Sequence, residues 1–293
     1  TTTDLTEATV APPSVTFDNL NWSTAQTVTV TGVDDLLDDG DIPFSITTAA
    51  ATSAGPNYSG RNAADVGVTN NDDDTAGITV STISGPTTEA GGTATFTIVL
   101  DSEPTANVTI GLTSTDLTEG TVAPPSVTFD NLNWTTAQTV TVTGVDDLLD
   151  DGNIPFSVTT AAATSSDPNY SGRNAADVVV TNNDDDTAGI TVSVISGPTT
   201  EAGGTATFTI VLDIEPTANV TIGLSSTDLT EGSVAPPNVT FDNLNWSTAQ
   251  TVSVTGVDDL LDDGDIAFSI TTAAATSADP NYSLENAPDV GVT

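Results

Sequence analysis

The sequence predicts an all-β protein, a row of tandem Ig-like (Greek-key) seven-stranded β-sandwiches, and three observations predict it. Apolar residues alternate with threonine and serine at a period of two, the strand period. Segments rich in Gly, Pro, Asn and Asp, the turn residues, separate the alternating runs. The whole pattern then recurs: TDLTE starts at Thr3, Thr115 and Thr227, so successive copies lie 112 residues apart. That period suits a domain and is too long for a solenoid turn. Residues 75–181 and 187–293 differ at only 15 of 107 positions.

NNDDDTAGITV at 70–80 and again at 182–192 sets the expected boundaries. Residues 75–186 form a complete repeat. Residues 187–293 form a nearly complete one that lacks only the closing NNDDD. Residues 1–74 form a partial one that lacks its first strands. The chain starts Thr-Thr-Thr and holds no methionine, which reads as an internal piece of a longer array. The other reading is a neighbouring chain that completes the first repeat, although the rest of this chain offers no spare strands.

Within 75–186 the strands follow in order. Ile78 with Val80 is a short first run, closed by SGPTTEAGG. Phe96, Ile98 and Leu100 alternate with threonines up to the turn DSEPTA. Val108, Ile110 and Leu112 lead into TDLTEGTVAPP. Val127 with Phe129 ends at DNLNW, Val140 with Val142 at DDLLDDGN, and Phe156 with Val158 at SSDPNYSGRN. Val178 with Val180 is the last run. No segment carries a helical stripe, and the polar positions are threonine-rich, as suits an exposed strand face.

Strand direction then sorts the loops. If each strand crosses the sandwich and the next returns, ten acids fall at one end: Glu89, Asp116, Glu119, Asp146, Asp147, Asp150, Asp151, Asp184, Asp185 and Asp186. Two carboxylates 4 Å apart repel by about 4 kcal/mol at an effective dielectric near 20. Ten would exceed the roughly 5–15 kcal/mol stability of a typical domain. Either the loops splay into water or cations sit among them. Calcium takes six to eight oxygen ligands, largely from carboxylates, carbonyls and water, whereas magnesium prefers fewer carboxylates and more water. Within DDLLDDG, Asp146, Asp147 and one of Asp150 or Asp151 are expected to ligate. Leu148 and Leu149 are expected to plug the core or touch the next repeat.

Composition narrows the partners. The chain has 41 acids, two basic residues (Arg61 and Arg173) and a formal charge of −39, with no His, Cys or Met. Nothing here neutralises phosphates, so nucleic-acid binding is excluded, and an anionic membrane surface is disfavoured. No apolar run is long enough for a spanning helix, so no membrane insertion is expected in this segment. Zinc and copper lack their usual ligands. General-base and nucleophilic chemistry lacks His, Cys and Lys, so the chain is not expected to be an enzyme. Asn57, Asn169 and Asn281 head N-x-S sequences that turn preference explains. Trp22, Trp134 and Trp246, each in FDNLNW, are expected as core plugs rather than sugar-stacking platforms.

TEAGGTATFTIVL, STDLTEG, VTVTGVDDLLDDG and the closing NNDDDTAGI, in that order, resemble a Calx-β domain. That family is named for the calcium-sensing domains of sodium/calcium exchangers. DPNYSG is similar to the branch found in giant bacterial surface proteins. The resemblance implies a sandwich with Ca2+ at one end. The family's ligands then fall on Glu89 and Glu201, on Asp116 and Asp228, and on the pairs Asp146 with Asp147 and Asp258 with Asp259. They also fall on Asp150 or Asp151, on Asp262 or Asp263, and on the triple Asp184, Asp185 and Asp186. The first repeat carries Asp4, Asp34, Asp35, Asp38, Asp72, Asp73 and Asp74 but no early glutamate, so its site is expected to be incomplete unless another chain helps. The third lacks the closing triple.

The resulting expectation is a structural, calcium-binding segment of an extracellular bacterial stalk or fibre at the cell surface. Its partners are calcium ions, neighbouring repeats and other copies of the same chain. An adhesin or carbohydrate-binding module is the alternative, poorly served by few aromatics and nearly unchanging loops.

Overall fold

Alternation places one face of every strand in a core and the other in water. The computed structural model of the chain describes residues 1–258 and 264–293. Asp259, Asp262 and Asp263, expected above as ligands, lie outside the described residues. The first repeat holds β1 (Ala8–Ala11), β2 (Thr29–Gly32), β3 (Ile42–Ile46) and β4 (Val66–Asn70). The second holds β5 (Ile78–Val80), β6 (Thr87–Thr88), β7 (Thr93–Leu100), β8 (Val108–Ser114), β9 (Gly120–Ala123), β10 (Ser126–Phe129), β11 (Gln138–Gly144), β12 (Ile154–Thr160) and β13 (Val178–Asn183). The third holds β14 (Ile190–Val192), β15 (Thr205–Leu212), β16 (Val220–Ser226), β17 (Gly232–Ala235), β18 (Asn238–Phe241), β19 (Gln250–Gly256), β20 (Phe268–Thr272) and β21 (Val290–Val292). No helix occurs among the described residues.

In the second repeat one sheet runs β5-β7-β11-β9 and the other β10-β8-β12-β13-β6. The inner faces of both meet in a core of Phe96, Ile98, Val108, Ile110, Phe129, Val140, Val142 and Val158, each at most 1% exposed. Each such side chain contributes on the order of 1.5–3 kcal/mol by leaving water. The third repeat builds the same two sheets, β14-β15-β19-β17 and β18-β16-β20-β21.

Two short strands, β6 and β9, are absent from the seven-run reading, and both have one cause. β5 pairs with β7 in one sheet, and β6 then joins the opposite sheet in parallel with β13. Likewise β9 pairs with β11, and after the cis Ala123–Pro124 bond β10 pairs with β8 in the other sheet. Each is half of a strand that changes sheets midway. Seven passages across the sandwich remain, so the sorting of loops by direction survives.

The first repeat is half a sandwich. β1 pairs with β2 and β3 with β4, the other edge of β3 meets Thr1–Thr3 through the Thr2–Ile46 bridge, and the buried core shrinks to Ala8, Phe44 and Ile46. The expectation that all three tryptophans plug a core fails at Trp22, which is 69% exposed, while Trp134 and Trp246 pack against their cores. Trp22 has the same local sequence but lacks the strands against which its counterparts pack.

Candidate metal centre

The site grows from strand ends. β13 carries Asn182, fully buried, whose side-chain amide donates to the Val145 carbonyl at 3.0 Å and to Glu119 at 3.4 Å, and whose oxygen accepts from the Thr87 hydroxyl at 2.9 Å. This one side chain ties the end of β6, the turn before β9 and the loop after β11 together. Gly144 must be glycine, because a Cβ there would collide with the Thr88 carbonyl and the Asn182 side chain. Gly152, at the other end of the DDLLDD loop, takes φ +76°, a conformation that side-chain-bearing residues resist. The two glycines that bracket the acidic loop thus serve close approach and reversal.

Two groups of carboxylates result. Glu89, Asp147 and Asp186 bring oxygens within 4.8 Å of one another, and so do Glu119, Asp147 and Asp151. Asp147 belongs to both. Glu89 is 1% exposed, its backbone N–H donates to Asn183 O at 3.0 Å, and its Oε2 has no hydrogen-bond partner. Asp186 Oδ2 is likewise buried and unpartnered. A buried, unpaired carboxylate oxygen costs several kcal/mol unless it is protonated or charge-compensated. Burial, reinforced by Asp184 and Asp147, pushes the Glu89 carboxyl up to about 7. Burial, then neighbouring aspartates, also raises Asp151 and Asp186, and burial raises Glu119. These residues fit a hard divalent cation: an all-oxygen set, negative throughout, with two oxygens that nothing in the protein satisfies.

The other expected ligands are placed as follows. Asp184 braces the site from its side: Oδ2 accepts from Gly152 N at 2.7 Å and Oδ1 from Asp186 N at 2.8 Å. Asp146 lies close enough to Asp186 to raise its carboxyl, and Asp185 is exposed. Asp150 turns away, its Oδ2 accepting from Ala188 N of the third repeat at 3.0 Å. Asp116 is in neither group. Its Oδ1 accepts from Thr118 N at 3.0 Å and the Thr118 hydroxyl at 2.5 Å, which hold its carboxyl below the usual range. Asp4 and Asp228 do the same with Thr6 and Thr230.

The first repeat, expected to be incomplete, retains two groups: Glu7, Asp35 and Asp39, and Asp34, Asp73 and Asp74. Asp72 again braces, accepting from Gly40 N at 2.7 Å and Asp74 N at 2.9 Å, and Asp38 again turns to the next repeat, accepting from Ala76 N at 2.8 Å. In the third repeat Glu201 is exposed. Asp258 follows β19 at the edge of the described residues. Sequence reasoning missed Glu7 and Asp39 and, although it brought Glu119 to the acidic end, did not count it among the ligands. The available signal was a glutamate just before a strand half, Glu7 before β1 and Glu119 before β9, hidden because both halves read as loop.

The acidic loop also grips the following repeat. Leu36 O accepts from Glu103 N at 2.7 Å, and 112 residues on Leu148 O accepts from Glu215 N at 2.9 Å. The Asn169 side chain donates to Asp38 O, and Asn281 to Asp150 O. Of the two roles expected for Leu148, contact with the next repeat is the one it fills, through its carbonyl, while its side chain is 48% exposed.

Fold and site together define an array of β-sandwiches with carboxylates gathered at the strand ends that face the next repeat. No family model matches the chain, and no curated protein matches it. Among solved structures it is similar to CBD12 from CALX1.2, with 14% identity, TM-score 0.31, 67% of this chain and 79% of that one covered. It is also similar to the calcium binding domain CBD12 of CALX1.1, with 15% identity, TM-score 0.30, and 70% and 79% covered. The Escherichia coli chaperone DraB shares 9% identity at a TM-score of 0.28, with 74% and 98% covered. Likenesses this distant carry no argument about activity.

Proposed function

We propose that the chain is a calcium-binding segment of an extracellular stalk or fibre, in which ions at the strand ends stiffen each repeat against the next. The observation that supports it most is the buried Glu89 Oε2, unpartnered and facing Asp147 and Asp186. Glu89, Asp147 and Asp186 would hold one ion, and Glu119, Asp147 and Asp151 a second. Bound calcium would supply the positive charge that lets these acids stay ionised in a confined space. Asp147 and Asp151 sit in the same loop as Leu148 O and Asp150, which contact the third repeat. Fixing that loop would therefore fix the junction. Near-identical repeats suit a role in which length and stiffness matter more than distinct surfaces.

Thermal unfolding of the intact chain in EDTA, in millimolar calcium and in millimolar magnesium tests this reading. A ligand that binds only the folded state at 100 times its dissociation constant adds about 2.7 kcal/mol per site. The expected result is a rise of several degrees or more with calcium and far less with magnesium. Equal, small responses to both would mean solvated acids and would end the proposal.

A further inference from the structure

We propose that residues 78–89 are the mechanical clasp of the second repeat, the segment whose hold on both sheets sets how long the repeat resists tension along the chain. This requires only that tension enter and leave through the neighbouring repeats, and it is independent of metal binding.

The chain enters the second repeat at β5 and leaves it after β13. β5 and β6 are two halves of one passage across the sandwich, and β6 runs parallel to β13. Tension therefore drags β5 and β6 toward the entry end and β13 toward the exit end. Ladder hydrogen bonds lie across the strands, so this motion loads those of β5 on β7 and of β6 on β13 in shear, all together and not one after another. The pull arrives at the base of β5, where Ala76 N donates to Asp38 Oδ2 of the first repeat at 2.8 Å. One repeat further on, Ala188 N makes the same bond to Asp150 Oδ2 at 3.0 Å.

The entry passage is the weaker of the two loaded sides. β13 lies inside its sheet, between β12 and β6, whereas β5 and β6 are edge strands. What holds the entry passage is spread over both sheets. Ile78, Thr79 and Val80 pair with Leu100, Val99 and Ile98. Where the chain leaves that sheet, Ser81 and Ser84 take over: their N–H groups donate to Thr97 O and Thr95 O, and their hydroxyls accept from Thr97 N and Thr95 N, all at 2.9 Å. Ile83 packs against the core. In the opposite sheet Thr87 and Thr88 pair with Asn182 and Asn183. There the Thr87 hydroxyl donates to Asn182 Oδ1 at 2.9 Å, and Glu89 N donates to Asn183 O at 3.0 Å. Thr87 and Asn182 are both fully buried, so that bond forms in a low-dielectric setting that strengthens it. Because the passage is divided, it cannot slide free of one sheet without sliding free of the other. β9 and β10 divide a passage in the same way, but they lie between other strands along the chain and carry no load until residues 78–89 let go.

The test holds the intact chain by its two ends at constant tension in EDTA and records the lifetime before each rupture. Thr87→Val keeps the side-chain shape and removes the buried hydroxyl bond. Ser81→Ala with Ser84→Ala removes two hydroxyls at exposed positions, where folding is not at risk. Each of these two variants should shorten the lifetime of one rupture at least tenfold. Ile110→Val, in β8 and outside the loaded passage, should lower the melting temperature of the repeat yet change every lifetime less than threefold. Forced unfolding follows the unfolding rate, so melting temperatures of the same variants separate a clasp from general weakening. Unchanged lifetimes in either clasp variant, or a shortening by Ile110→Val as large as theirs, would overturn the proposal. With EDTA present, neither outcome bears on calcium binding.

Discussion

Glu89 and Glu201 stand in the same sequence, PTTEAGGTATFTIVL, yet Glu89 is 1% exposed and Glu201 is exposed. The cause lies about 90 residues downstream. In the second repeat β13 runs on to Asn183, pairs in parallel with β6 and accepts the Glu89 N–H, and Asp184–Asp186 then close over the carboxylate. In the third repeat the sequence stops at Thr293, whose carbonyl accepts from Thr199 N at 3.0 Å, and Thr200 bridges to Gly204 within its own turn. The early glutamate is therefore a ligand candidate only when the closing segment builds a wall beside it. The site belongs to the meeting of strand ends and to no single loop.

That contrast can be broken from either side. Replacing Asp184, Asp185 and Asp186 together by Asn should give the second repeat the character of the third, removing about 2.7 kcal/mol of calcium-dependent stability if the ion at Glu89, Asp147 and Asp186 is held at 100 times its dissociation constant. Calorimetry in calcium and in EDTA reads this directly. Appending Asn-Asn-Asp-Asp-Asp after Thr293 should produce the opposite change, adding calcium-dependent stability to the third repeat.

The next effect is pH dependence without calcium. The Glu89 carboxyl, raised from 4.5 to about 7, holds its proton in the folded state where the unfolded chain has released it. Its contribution is present at low pH and is lost as pH rises from about 4.5 through 7. The loss comes to about 3.4 kcal/mol at about 1.36 kcal/mol per unit. Glu89→Gln should abolish this fall, measured as denaturant midpoints across the range. Calcium should abolish it too, since an ion binds the charged form.

Smaller changes sharpen the comparison elsewhere. Gly172 has φ +77°, and the third repeat puts Leu284 at the same place with φ 70°. Leu284→Gly should stabilise the third repeat by about 1 kcal/mol, seen as a higher unfolding temperature. Asn281→Ala should remove one junction hydrogen bond, worth about 0.5–1.5 kcal/mol. It should increase the mobility of the third repeat against the second in relaxation measurements while leaving each repeat's own unfolding nearly unchanged.

Much of this was legible in the chain. Alternation located the seven passages, and counting directions brought Glu89, Asp147, Asp151 and Asp186 to one end. Strand halves such as β9 stayed hidden because four residues beside a Pro-Pro pair read as turn, and Glu7 went unnoticed while Glu119, brought to the right end, was not read as a ligand. Asp116 was misleading in the other direction. In Asp-Leu-Thr, the aspartate satisfies its own turn through Thr118, a local competition that parity does not see. The outward turn of Asp150 and the exposure of Trp22 depend on a neighbouring repeat and on absent strands, and neither is written in local pattern.

Calcium titration calorimetry of the intact chain at 150 mM salt, with and without millimolar magnesium, tests the central claim most directly. The account predicts saturable binding of a small whole number of ions that magnesium leaves largely intact and that Glu89→Gln with Asp147→Asn reduces. Diffuse heats that never saturate, vanish in salt and ignore both substitutions would contradict it.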